Sequence, residues 1–350
     1  MYHSFITEHK IDLCCVPCRR RFGSKDDLER HKNPRRKHPI PTEGDALQCR
    51  GNIYTKIPSN SHAKVLRDLG SLCHTENTLL RHRFTLEAIP GFVQTPSPNR
   101  SSPKRKVIVL DCEMCGVEGG KSEVVSLMAI DFLTGEVLVD TLVKPSLPII
   151  EWRSDIHGIT PGKMAAARAA KLVLEGVEAA RAELWRFLDG DTVLVGQSVN
   201  NDLDCLRIVH KTVVDTAVLA SDAVFGADGT PRYWGLGLKD LCRELLDIKI
   251  REDSRFGSST HDGLEDILAP REVVLWMLEH EEDFSVWANK RRQVSRKQHF
   301  AKRKGKKQKA RRSTSYHREE EMAYSDNSEG QIRFRDVIDY DMWPESLDEW

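Results

Sequence analysis

The chain has 350 residues, 30% of them charged and 39% hydrophobic, and a formal net charge of zero. That composition provides for one sizeable core, and the length for about two folded units with tails. No apolar run nears the roughly 20 residues that cross a bilayer, and Met1 to Lys10 lacks the basic-then-apolar pattern of a secretory leader. The expectation is therefore neither a membrane protein nor a secreted one. Nine cysteines, several in close pairs, suit reduced thiols or metal ligands better than a disulfide scaffold.

The zero hides segregation. Residues 1–105 carry +9, residues 106–289 carry −14, residues 290–312 carry +13 and residues 313–350 carry −8. The acidic middle is either a solvated surface or a cluster around metal cations. The basic flanks are either soluble tails or contacts to nucleic acid, whose binding is driven by phosphate neutralisation.

In chain order, residues 1–38 form a Cys/His segment. Cys15, Cys18, His31 and His38 have the spacing C-x2-C-x12-H-x6-H. The first intervals match a C2H2 zinc finger, a small ββα unit, and Phe22 and Leu28 stand at its core positions. A segment this short needs the metal to fold, with zinc supplying on the order of 10–16 kcal/mol. The last interval exceeds the usual three to five residues, and Pro34 is expected to end the helix. The alternative is a basic arm with no metal. One finger reads about three base pairs, which favours a general nucleic-acid or protein contact.

Residues 39–105 read as a linker with one or two short helices between Lys64 and Arg83, closing on Pro96-Ser97-Pro98 and Ser101-Ser102-Pro103. Val107 to Leu110 then reads as a buried strand ending in Asp111. Glu123 to Phe132 and Glu136 to Val143 are two more strands across a Leu133-Thr134-Gly135 turn. Leu174, Val177, Arg181, Leu184, Trp185 and Leu188 fall at helical spacing. Thr192 to Val195 is a strand, Asp202 to Val209 a helix, Val213-Val214 a short strand, and Leu238 to Leu246 and Glu265 to Glu279 are helices. The fold class is α/β, a mixed sheet flanked by helices over residues 106–285. Residues 286–350 read as a basic then acidic tail, largely disordered.

Asp111 and Glu113 are two apart on a strand and so share a face. Paired acids there are costly unless a cation or hydrogen bonds compensate them. Gly196-Gln197-Ser198 leads into Asp202 at a helix start, and His261 and Asp266 form H-x4-D around the start of the last long helix. Each signal alone is weak: strand acids are usually solvated, and an Asp at a helix start is usually a cap.

Taken in order, these motifs resemble the DEDDh group of 3′→5′ exonucleases, most of all the eukaryotic Rex-type RNA exonucleases. Val109-Leu110-Asp111-Cys112-Glu113-Met114 resembles their first motif. Leu194 to Ser198 through Asp202 resembles the second, and His261 to Asp266, with Glu265, the third. Lys144-Pro145 and His157-Gly158-Ile159-Thr160 are similar as well, and the resemblance covers roughly residues 106–282. Gln197 departs from the histidine common there, which implies an altered contact rather than lost chemistry.

The resemblance implies a ribonuclease H-like fold and hydrolysis of RNA from a 3′ end with release of 5′-mononucleotides. Asp111, Glu113, Asp202 and Asp266 would hold two Mg²⁺ or Mn²⁺ ions, with Asp111 bridging them. His261 would take the proton from the attacking water. Met114 is placed either against the terminal sugar or base or in the core. Asp204 is expected to face away, Asp215-Thr216 to be a strand-end or helix-start element, and Cys112, Cys115, Cys205 and Cys242 to be packing residues. Single-stranded DNA as substrate, and an inert nucleic-acid-binding protein, are the alternatives. The basic stretch points to the nucleus over the cytoplasm, and RNA is the expected partner.

Overall fold

The structure, a computed structural model, describes residues 42–43, 46–99, 101–102, 104–227, 236–251 and 261–295. Cys15, Cys18, His31 and His38, with the rest of the expected finger, lie outside these residues, as does the chain beyond residue 295.

The stretch expected as a linker is folded. β1 (Thr42–Glu43), β2 (Ala46–Cys49) and β3 (Asn52–Thr55) make an antiparallel three-stranded sheet. The helices expected between Lys64 and Arg83 are α1 (His62–Leu72) and α2 (Glu76–Arg81). β4 (Val93–Gln94) pairs with a later strand. Leu47, Tyr54, Ile57 and Leu69 are buried here against Val107, Val109, Ile130 and Phe132. These apolar residues are too sparse along the sequence to show a period, so only the tertiary contact reveals them.

β5 (Val107–Val117) is the spine of the main sheet. It runs past the expected end at Asp111 to Val117, so Asp111 and Glu113 lie inside the strand rather than at its end. β6 (Lys121–Asp131), β7 (Val137–Lys144), β8 (Ile149–Glu151), β9 (Val173–Glu175), β10 (Val193–Gly196) and β12 (Val213–Asp215) complete seven strands, while β11 (Ile208–Val209) pairs with β4. The order is β12-β10-β5-β6-β7-β9, with β8 on the far end of β5. β10 and β12 run parallel to β5, and β6 and β8 antiparallel.

The helical segments α3 (Ser154–His157), α4 (Pro161–Ala169), α5 (Gly176–Leu184), α6 (Asn200–Leu206), α7 (Thr216–Phe225), α8 (Leu238–Leu241, running into a π-turn over Cys242–Leu246) and α9 (Gly263–Glu279) accompany it. This is a mixed α/β fold with a central mixed sheet flanked by helices. Leu174, expected on a helix, sits on β9 opposite Val143; a three-residue apolar run has no period of its own, so pairing decides it. Ile208 and Val209 likewise leave the expected helix for β11. The core continues past residue 285: residues 281–295 are helical, Ala288 is buried, and Arg292 donates to the carbonyls of Ala223 and Val224. No helix among the described residues is long and apolar enough to cross a membrane.

Strand parity explains where the site lies. Ile108, Leu110 and Cys112 pack towards α5 and α6. Val107 and Val109 pack towards α9 and the N-terminal segment. Asp111 and Glu113 share the parity of Val107 and Val109, so they face α9. The one irregularity between β5 and β6 falls between Glu113 and Met114, after the pair, and leaves that alternation intact.

Candidate active site

β5 supplies Asp111 and Glu113, α6 supplies Asp202, and the start of α9 supplies His261 and Asp266. Gly196 makes the approach of α6 possible. A Cβ there would sit 3.0 Å from that of Val199 and 3.1 Å from the Leu110 carbonyl oxygen, so only glycine lets β10 end this close to β5. Asp202, on the first turn of α6, then accepts the Cys112 backbone N–H at 2.7 Å. The second motif is thereby tied to the first.

The His261 ring reaches across to β5 and along its own element: its Nδ1 is 3.2 Å from Glu113 Oε1 and 3.6 Å from Asp266 Oδ2. A carboxylate accepts only, so Nδ1 is the donor, and in the neutral ring Nε2 carries the lone pair. Among the described residues, Glu113, His261 and Asp266 are a group whose donor atoms lie within 4.8 Å of one another. Asp111 and Asp202 stand outside that group but inside the same field. Burial pushes the Asp111 carboxyl well above the usual range, and Glu113, Asp266 and Asp202 push it further. Burial does the same to Asp202, against the Cys112 N–H. Asp266 is raised by burial, opposed by Arg251 and His261. Such a concentration of buried negative charge calls for a cation.

Asp266 gives the most specific sign. Its Oδ1 accepts from Arg251 Nε at 2.9 Å, while its Oδ2 is buried with no hydrogen-bond partner. A buried carboxylate oxygen without a partner is expensive. Carboxylate oxygens gathered around an orphaned oxygen, with one imidazole beside them, fit a hard divalent cation such as Mg²⁺.

Nothing in the sequence around Arg251 marks it as a partner of Asp266, and nothing around His157 gives it a role. That ring is buried beside the site, its Nδ1 accepting the Ile159 N–H at 3.1 Å and its Nε2 without a partner. Burial lowers its pKa, against the pull of Glu113. Gln197 serves an internal contact, donating to the Leu236 carbonyl and accepting from Thr216 Oγ1. Met114 packs against the core. Asp204 turns to Thr85. Asp215 caps α7 and accepts the N–H groups of Ser198 and Val199. Burial pushes the Cys115 thiol up to about 11 and those of Cys205 and Cys242 up to about 12, so none is a thiolate near neutrality.

Residues 108–273 match the exonuclease family RNase_T. That stretch of the chain is similar to an RNase_T exonuclease domain. Similar proteins include Small RNA degrading nuclease 3 of Arabidopsis thaliana, 30% identical over 64% of this chain and 29% of that protein. RNA exonuclease 3 of Candida albicans is 27% identical over 78% of this chain and 60% of that protein. The Pan2 pseudoubiquitin hydrolase–RNA exonuclease module of Saccharomyces cerevisiae, solved with A7 RNA, is 20% identical with a TM-score of 0.46, over 59% of this chain and 35% of that one. The chain thus spans less than two thirds of the length of these relatives.

Proposed function

We propose that this protein is a metal-dependent 3′→5′ exoribonuclease that releases 5′-mononucleotides. The observation that carries the proposal is the buried Oδ2 of Asp266, without a hydrogen bond and 3.6 Å from the His261 Nδ1 beside Glu113. Asp111, Glu113, Asp202 and Asp266 would hold two Mg²⁺ or Mn²⁺ ions. Bound there, such ions supply an activated water and stabilise the leaving oxygen of a phosphodiester. Glu113 holds the His261 ring by Nδ1, so Nε2 takes the proton of the attacking water. Sheet and α9 exclude bulk solvent from the acids, which strengthens each charge contact. RNA as substrate rests on the names of the similar proteins, and the 3′→5′ direction on the Rex-type motifs. Zinc held by Cys15, Cys18, His31 and His38, and a nuclear location, belong to the same proposal and rest on spacing and on the basic stretch alone.

The test is a 5′-labelled oligoribonucleotide beside its deoxy counterpart, with Mn²⁺ or with chelator. The expected result is a ladder shortening one nucleotide at a time from the 3′ end of the RNA, absent with chelator. RNA left intact with Mn²⁺, or degraded in chelator, overturns the proposal.

A further inference from the structure

The β2–β3 turn lies outside the residues matched by the exonuclease family, yet it touches the start of α9. Cys49 pairs with Asn52, so Arg50 and Gly51 are the two loop residues, with φ of +47° and +86°. Two positive φ values make this a type I′ turn, where Asn-Gly is the usual pair. Arginine at the first position is in the left-handed region that favours glycine, and its side chain makes a contact that offsets the strain.

That side chain reaches Asp262. Arg50 Nε donates to Asp262 Oδ2 at 2.7 Å, with only 16% and 26% of the two side chains exposed. Asp262 stands between the proposed base and the α9 helix, immediately after His261. Its other oxygen, Oδ1, caps α9 through the N–H groups of Leu264 and Glu265. The rest of β3 follows the same line. Asn52 Nδ2 donates to the Lys249 carbonyl at 2.9 Å and lies 3.4 Å from Glu265 Oε1. Glu265 Oε2 accepts the Arg251 N–H at 2.8 Å, and Arg251 holds Asp266. Thr55 accepts from Arg271 and donates to Glu272, both on α9.

We infer that the N-terminal hairpin is a clamp on the catalytic helix start, with Arg50 as a positioning residue that fixes His261 through Asp262. The inference rests on the proposed nuclease reading for its catalytic consequence, but the clamp itself does not. One oxygen of Asp262 sets the helix and the other is held by Arg50, so the carboxylate cannot rotate without breaking one of the two. The His261 backbone, anchored on its other side by its N–H to the Ile156 carbonyl at 2.7 Å, is then fixed from two directions. Displacement of a reacting group by even an ångström costs up to about a hundredfold.

Arg50→Gln and Asp262→Asn, singly and together in the full chain, test this. Asparagine keeps the capping oxygen while turning a donor towards Arg50, so the helix start survives as the clamp is lost. On an oligoribonucleotide with Mn²⁺, each single variant is expected to lose about tenfold in kcat with KM within about twofold, and the double variant to be no worse than either, as for one shared contact. Arg50→Lys is expected to recover part of the loss. Hydrogen exchange of the Leu264 and Glu265 amides, read without metal or RNA, is expected to quicken at least about threefold in both single variants. A kcat within twofold of the parent in Arg50→Gln, or additive losses in the double variant, overturns the inference whatever the exchange shows. If the parent protein degrades no RNA, the nuclease reading has failed, and exchange alone decides the clamp: unchanged rates overturn it and faster rates sustain it.

Discussion

Asp111 and Glu113 ride on β5, which has β6 on one side and β10 on the other, whereas His261 and Asp266 sit at a helix start held by contacts from several other parts of the chain. In the first case the backbone ladder alone sets the carboxylates, and each flanking apolar residue adds to their placement. In the second, Glu113, Arg251, Ile156 and Arg50 each contribute one contact. One half of the site is built into a local pattern and the other is assembled by tertiary contact. The strand half should therefore tolerate changes around it, and the helix half should not.

The largest effect is expected at the strand. Asp111→Ala should bring metal-dependent RNA degradation below detection, because it removes the carboxyl on which the charges of the three other acids act. The same change should leave the metal-free melting temperature equal or higher, since it deletes a buried charge that its neighbours oppose. Rates within tenfold of the parent would remove Asp111 from the site. A fall in melting temperature would mean that the ladder does not hold β5 by itself.

At the helix half, His261→Ala should cost about 10²–10⁴ in kcat, the usual worth of a general base. A loss under threefold would leave His261 only as a partner for Glu113. Because the ring bridges two elements, this variant should also weaken the grip of β5 on α9, which Asp111→Ala should not.

The same contrast decides what could be read from the chain alone. Val107 to Leu110 announces a buried strand, and the acids that follow it at a spacing of two announce a shared face. Asp202 and the His261–Asp266 pair stand out only as members of an ordered set. The continuation of β5 to Val117 was not legible, because Asp111 and Glu113 interrupt the apolar run that marks a strand. Arg50, Asn52 and Arg251 were not legible either: their partners lie 14 to 213 residues away, and no local pattern records such a contact. Residues 39–105 passed for a linker because their Pro and Ser content is real, while Leu47, Tyr54 and Leu69 reach the core one at a time.

That last point has its own test. Leu69 is fully buried among Leu47, Tyr54, Ile57 and residues of the main sheet. Leu69→Ala should cost about 2–5 kcal/mol of unfolding free energy, as for a core leucine, measured by urea denaturation in chelator. A cost under about 0.5 kcal/mol would mean that the N-terminal segment is a surface appendage and the exonuclease core is complete without it.

The smallest effect concerns His74, where the N-terminal segment meets β12. Its Nε2 accepts the Asp215 backbone N–H at 2.9 Å, which requires the neutral ring, and burial lowers its pKa from 6.5 to about 4. Between those values the unfolded chain binds the proton and the folded one does not, so this group takes stability away as pH falls from 6.5 towards 4. Asp215 works in the opposite sense: burial raises it to about 6, so its contribution improves as pH falls through the same range. The whole-protein curve mixes the two, and the comparison that isolates His74 is His74→Gln, which keeps an acceptor for the Asp215 N–H but cannot titrate. Urea midpoints should fall faster for the parent than for His74→Gln between pH 6.5 and 4.5, and the two should run parallel above pH 7. Parallel curves throughout would mean that the folded chain takes up the His74 proton as readily as the unfolded one, and so that the bond from the Asp215 N–H does not hold the ring neutral.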